Sequence, residues 1–97
     1  MADFILFMHA DGRAATATGL WPPYLMKLRE LGAFQGGSAI GPGESVRKGT
    51  AAGGVTSHIA GYIRVEANSL AEAKALVAGN PVFESGGTVE IRELPRD

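Results

Sequence analysis

The chain has 97 residues, one domain's worth, which excludes a catalytic domain joined to a separate regulatory one. Nine basic against ten acidic residues leave a net charge of −1, which provides no field for nucleic acid or anionic lipid. The cysteine count of 0 excludes a disulfide scaffold, a thiolate metal site and a thiol nucleophile, while 45% apolar residues exclude bulk disorder.

Residues 1–97 are therefore read as one domain. A chain this short buries only about 60–65% of its unfolded surface, which favours help from a partner subunit. Glycine stands out, at 14 residues, about twice average usage. The apolar run Phe4-Ile5-Leu6-Phe7-Met8 follows Asp3, has no basic flank and is too short for a signal peptide. No stretch approaches the roughly 18 apolar residues of a membrane span. A cytoplasmic protein with no membrane partner is expected.

In chain order, residues 3–9 read as a strand whose continuous apolarity implies cover on both faces. Ala10 to Gly19 is a loop of small and polar residues. Pro22 and Pro23 suit the first turn of a helix, where a missing N–H costs nothing. Trp21, Tyr24, Leu25, Leu28 and Leu31 follow at helical spacing, with Gly32 just past the end. Residues 33–41 carry three glycines and predict a short or edge strand. Gly41-Pro42-Gly43-Glu44 is a turn, Ser45-Val46-Arg47-Lys48 a candidate returning hairpin arm, and Gly49 to Gly54 a loop.

Residues 58–66 alternate. Ile59, Ile63 and Val65 take one face, and His58, Tyr62, Arg64 and Glu66 the other. Ser69-Leu70-Ala71-Glu72 is a capping box opening a helix with an apolar stripe of Leu70, Ala73, Leu76 and Val77. Gly79-Asn80-Pro81 stops it. Residues 87–94 alternate again, with Val89 and Ile91 inward, and Pro95 closes the strand.

This order predicts an α+β, ferredoxin-like βαββαβ fold: a four-stranded antiparallel sheet with two helices on one face. The first strand and the one at 58–66 lie side by side in its middle. The uncovered face would carry Ile5, Phe7 and His9, with His58, Tyr62 and Arg64 beside them and Glu90 and Arg92 from the last strand. Large apolar groups there mark an interaction surface, and a second copy of the sheet is the simplest cover, giving a homodimer.

The opening Phe4-Ile5-Leu6-Phe7-Met8-His9, the helix end Leu28-Arg29-Glu30-Leu31-Gly32 and Gly36-Gly37-Ser38 resemble the YCII-related, or DGPF-domain, proteins. So do Gly61-Tyr62-Ile63-Arg64-Val65-Glu66, Ser69-Leu70-Ala71-Glu72-Ala73 and Gly86-Gly87-Thr88-Val89-Glu90-Ile91-Arg92. The resemblance covers nearly the whole chain and implies a dimeric α+β barrel with a pocket built around a histidine and an aspartate. Members are largely of unassigned function, and some occur beside alternative sigma factors. Where an Asp-Gly-Pro-Phe run would follow Val55-Thr56, this chain reads Ser57-His58-Ile59-Ala60, so that aspartate has no counterpart and the chain resembles a divergent branch.

The two histidines carry the chemistry. His9 ends the first strand and His58 begins its antiparallel neighbour, so both should converge at one mouth of the barrel, with Asp11 on the following loop. Near-neutral imidazoles beside a carboxylate suit acid/base catalysis, and two imidazoles with a carboxylate also suit a metal. The plain alternative is strand-end or interface histidines bonded to backbone and water. His9, His58 and Asp11 are the candidate catalytic residues, and Phe7, Tyr62, Arg64 and Ser38 the candidate substrate-binding ones; no metal and no cofactor are assigned.

Arg64, Glu90 and Arg92 either bind an anionic group or pair with one another across strands. Tyr62 is a proton donor or a barrel-filling aromatic, and Trp21 and Tyr24 belong to the core. Gly36-Gly37-Ser38 lacks the spacing and lysine of a phosphate loop. Gly53-Gly54 is slack in a loop, and Ser57 faces away from His58. Gly61, inside a strand, is expected to admit a helix or a subunit. Two readings of function follow: an acid/base enzyme on a small organic substrate, or a non-catalytic ligand-binding or protein-interaction module linked to transcription. Neither involves nucleic acid.

Overall fold

A computed structural model describes residues 1–12, 18–53 and 58–96. Strand β1 (Ala2–His9) leads through a 3-10 turn (Thr18–Leu20) into α1 (Trp21–Glu30), then β2 (Phe34–Ala39) and β3 (Ile59–Ala67). Helices α2 (Leu70–Ala75) and α3 (Pro81–Glu84) precede β4 (Val89–Leu94). The strands form one four-stranded antiparallel sheet in the order β2-β3-β1-β4, which is the ferredoxin-like α+β fold.

Alternation decides which face is the core. Phe4, Leu6 and Met8 of β1 are buried beside Ile63 and Val65 of β3, and Tyr24 and Leu28 of α1 with Ala73 and Val77 close over them. Each large side chain fully removed from water stabilises the fold by roughly 1.5–3 kcal/mol. Asp3, Ile5, Phe7 and His9 alternate out to the other face, where they are half-buried. Among the described residues no helix is long and apolar enough to cross a membrane.

Helix α1 starts on Trp21-Pro22-Pro23 and ends before Gly32, whose φ of +70° suits a residue without a Cβ. Its stripe is narrower than its spacing predicts: Tyr24 and Leu28 are buried, but Leu31 is exposed past the helix end. Two bonds tie α1 to the segment after α2, the Tyr24 hydroxyl donating to Leu76 O at 2.7 Å and Lys27 Nζ to Ala78 O at 2.8 Å. The stripe of α2 is corrected likewise, because Leu70 at its first position is exposed. Ser69 Oγ accepts from the Glu72 amide, but Glu72 reaches back to the Asn68 N–H. Gly79-Asn80-Pro81 both ends one helical stretch and starts α3, since Asn80 Oδ1 accepts from Val82 N and Phe83 N.

The proposed hairpin arm at residues 45–48 does not form. Residues 41–53 contain no strand, and β2 pairs with β3 instead. Glycine-rich β2 slips register around Gly36, whose φ is +112°. Within the chain it is a strand and not a helix that comes close to Gly61: an added Cβ would meet Ser38 O at 3.2 Å and the Met8 methyl at 3.3 Å. Its neighbour is strand β2.

Candidate functional site

The open face gathers its chemistry where β1 ends. Between Met8↔Gly61 and His9↔Ile59 the β1–β3 register slips by one residue at Ala60, and the pairing runs out through Ala10 N donating to His58 O at 2.7 Å. The slip brings two strand-end imidazoles face to face. The rings of His9 and His58 stack with centroids 4.6 Å apart and planes 29° apart. His9 is nearly covered, with 11% of its side chain accessible, whereas His58 is exposed.

The carboxylate on His9 is Glu90, not Asp11. His9 Nε2 lies 2.9 Å from Glu90 Oε1, and Arg92 Nη1 donates to Glu90 Oε2 at 3.2 Å. The register explains the contact: β4 flanks β1 on the other side, with Phe7 opposite Glu90, so His9 is one alternation further along the same face. The His9 hydrogen bond, with Arg92 adding to it, holds the Glu90 carboxyl below the usual carboxylate range. Sequence reading placed Glu90 on this face but grouped it with the arginines. The available signal was the diagonal from His9 to Glu90 across an antiparallel pair.

Asp11 is engaged elsewhere. Its Oδ2 accepts from the Thr88 hydroxyl at 2.6 Å and its Oδ1 from the Thr88 N–H at 2.7 Å. Those two bonds lower the Asp11 carboxyl below its ordinary value, the hydroxyl being the larger cause. Asp11 thus clamps the turn before β4 to the end of β1.

The candidate binding residues divide. Phe7 and Tyr62 face each other across β1 and β3, both half-buried, and Ser38 follows Tyr62 in the next strand with its Oγ donating to Ala39 O at 2.8 Å. Arg64, opposite Ile5, is exposed and has no ion pair among the described residues. Pairing on this face runs along β4 from Arg92 to Glu90, and at the far end from Arg96 to Asp3 and Glu66 at 2.8–3.0 Å. Ser57 lies outside the described residues. A hollow of about 410 Å³ opens between the sheet and the helices; Ser38 and Tyr62 border it, whereas His9, Asp11 and His58 lie outside its walls. No group of three or more His, Asp or Glu side chains suited to a metal ion occurs among the described residues.

Comparison with family models and with curated proteins finds no match for this chain. Among solved structures, the chain is similar to 5-chloro-2-hydroxyhydroquinone dehydrochlorinase (TftG) from Burkholderia phenoliruptrix AC1100, in complex with 2,5-dihydroxybenzoquinone. The TM-score is 0.60 at 16% identity, covering 98% of this chain and 95% of that one. The likeness extends over the whole sheet-and-helix order and shows the fold; an enzyme is thus built on the same architecture.

Proposed function

We propose that the protein is a YCII-like homodimer acting as an acid/base catalyst on a small organic molecule at the His9–His58 end of the sheet. The observation that carries this reading is the stacked imidazole pair with Glu90 bound to His9 Nε2 at 2.9 Å. A carboxylate on one ring nitrogen fixes the tautomer and leaves Nδ1 with its lone pair. His9 is then the oriented imidazole and exposed His58 the one that meets the substrate, with Phe7 and Tyr62 as apolar flank and Arg64 as the cation for an acidic group. A second copy covers Ile5, Phe7 and Tyr62, which supplies the burial a lone short chain lacks.

The structural neighbour supplies the first probe, 2,5-dihydroxybenzoquinone, the compound held in its complex. Imidazole resonances of His9 and His58 are followed by NMR while the full-length chain is titrated with it and with small hydroxylated aromatics and carbonyl compounds. Ligands that shift both rings are then incubated in deuterated solvent. Deuterium uptake into an acidic C–H of the ligand, lost in His58→Gln, supports catalysis. Binding without exchange leaves the non-catalytic ligand-binding module, and the absence of any ring shift removes the site.

A further inference from the structure

The hollow of about 410 Å³ lies on the opposite side of the sheet from the histidines. Trp21 and Leu25 of α1 form one wall, Phe34 of β2 and Val82 of α3 others, and the floor is the β2–β3 ladder at Gly37 and Gly61. The bare floor is dictated by the backbone. A Cβ on Gly37 would stand 2.5 Å from Tyr62 O and 3.1 Å from Ile63 Cα, so no side chain can rise there to fill the space. The four walls, Trp21, Leu25, Phe34 and Val82, are accordingly only half-buried although each faces the core side. Such surfaces lack partner atoms on one side and forgo contact energy that an occupant would restore.

We infer that this hollow is a binding site for an uncharged, flat aromatic molecule of one or two rings, separate from the histidine cluster and independent of what that cluster does. Volume sets the size. An apolar cavity of about 150 Å³ accepts benzene, and pockets of about 300–1,000 Å³ hold small organic ligands. Lining sets the charge. Among the described residues no acidic or basic side chain borders the hollow, and the Ser38 hydroxyl is already spent on Ala39 O at 2.8 Å. An ionised ligand would lose its hydration without gaining a partner. Shape follows from the floor: a ladder bare at Gly37 and Gly61, walled by an indole and a phenyl ring, suits a flat apolar ring better than a bulky branched one.

The test is a nitrogen-15 NMR titration of the full-length chain with 2-naphthol and, separately, with the anion 2-naphthoate. Trp21 is the only tryptophan, so its indole N–H is a unique resonance, and the Gly37 and Gly61 amides report on the floor. Saturable shifts centred on these three groups with 2-naphthol are expected, with naphthoate weaker by about tenfold or more. Leu25→Trp fills the slot from the helix side and removes the shifts; Leu25→Phe, a milder change, weakens them if the tryptophan variant does not fold. Equal binding of the anion overturns the assignment. So do shifts centred on His9 and Glu90, the absence of saturable binding, or unimpaired binding by a folded Leu25 variant.

Discussion

His9 and His58 lie ring against ring with centroids 4.6 Å apart, and the less exposed member is the one that holds a carboxylate. The arrangement runs as a chain from Arg92 to Glu90 on β4, across to His9 on β1, and on to His58 just before β3. It spans β4 and β1 and reaches the residue before β3, whose carbonyl is held by the Ala10 N–H, so its geometry depends on sheet register.

Glu90 makes this geometry dependent on pH. Its folded-state carboxyl lies below the ordinary carboxylate range because of the His9 hydrogen bond. The ionised form is therefore favoured by folding, and its contribution is complete above the unfolded carboxyl value and lost as pH falls through the folded one. Glu90→Gln is expected to be less stable than the parent at neutral pH, with the gap closing in acid, as pH falls below the ordinary carboxylate range. Urea midpoints at neutral and acid pH measure this; an unchanged gap would show that the charge is not responsible.

Asp11 has the same sign for a different reason. Its carboxyl is lowered by the Thr88 hydroxyl and N–H, so it too stabilises above the ordinary carboxylate range and fails in acid. Asp11→Asn should lower the thermal midpoint at neutral pH, and Asp11→Asn with Thr88→Val should cost less than the two single changes added together. Strict additivity of the two would refute the clamp between β1 and β4.

Much of the fold was legible because it rests on alternation. The outward set Ile5, Phe7 and His9 and the inward set Ile63 and Val65 follow from a period of two, and antiparallel pairing then places His9 near His58. What failed was set by tertiary contact. Val46 lies in a segment with turn chemistry before it and β-branching within it, yet residues 41–53 form no strand and β2 stays the edge of the sheet, paired with β3 alone. Asn80 read as a helix stop because Gly79 and Pro81 flank it, whereas its side chain starts the next turn. From sequence Asp11, on the loop after His9, is the carboxylate expected near the two histidines; Glu90 reaches His9 through a diagonal across strands, which needs the register.

The Asn80 cap has a measurable weight. Asn80 is fully buried, its Oδ1 accepts two backbone N–H bonds at 2.9 and 3.3 Å, and its Nδ2 has no hydrogen-bond partner among the described residues. Asn80→Ala loses the cap and is expected to cost about 1–2 kcal/mol in chemical denaturation. Asn80→Ser, which can still cap, should recover part of that loss.

The exposed sheet face should govern assembly. Phe7 sits in the middle of that face, opposite both Tyr62 and Glu90. Under the proposed homodimer, Phe7→Asp buries an unpaired charge against the second copy and should yield a monomer in sedimentation equilibrium, with the circular dichroism of the parent. A parent protein that sediments as a monomer at all concentrations would reject the dimer itself.

Two glycines in adjacent strands should respond unequally to the same added methyl group. At Gly37 the nearest atom to a new Cβ is the Tyr62 carbonyl oxygen at 2.5 Å, a ladder atom that cannot move without parting β2 from β3. At Gly61 the nearest atoms are Ser38 O at 3.2 Å and the Met8 methyl at 3.3 Å, and the second of these is the end of a flexible side chain. Neither has a positive φ, so the comparison isolates crowding from backbone strain. Gly37→Ala is expected to cost about 1–3 kcal/mol, within the range for overpacking, and Gly61→Ala less. Denaturation midpoints of the two variants check the order. Should Gly61→Ala be the more damaging, the close approach of β2 to β3 at Gly37 would not be what requires glycine there.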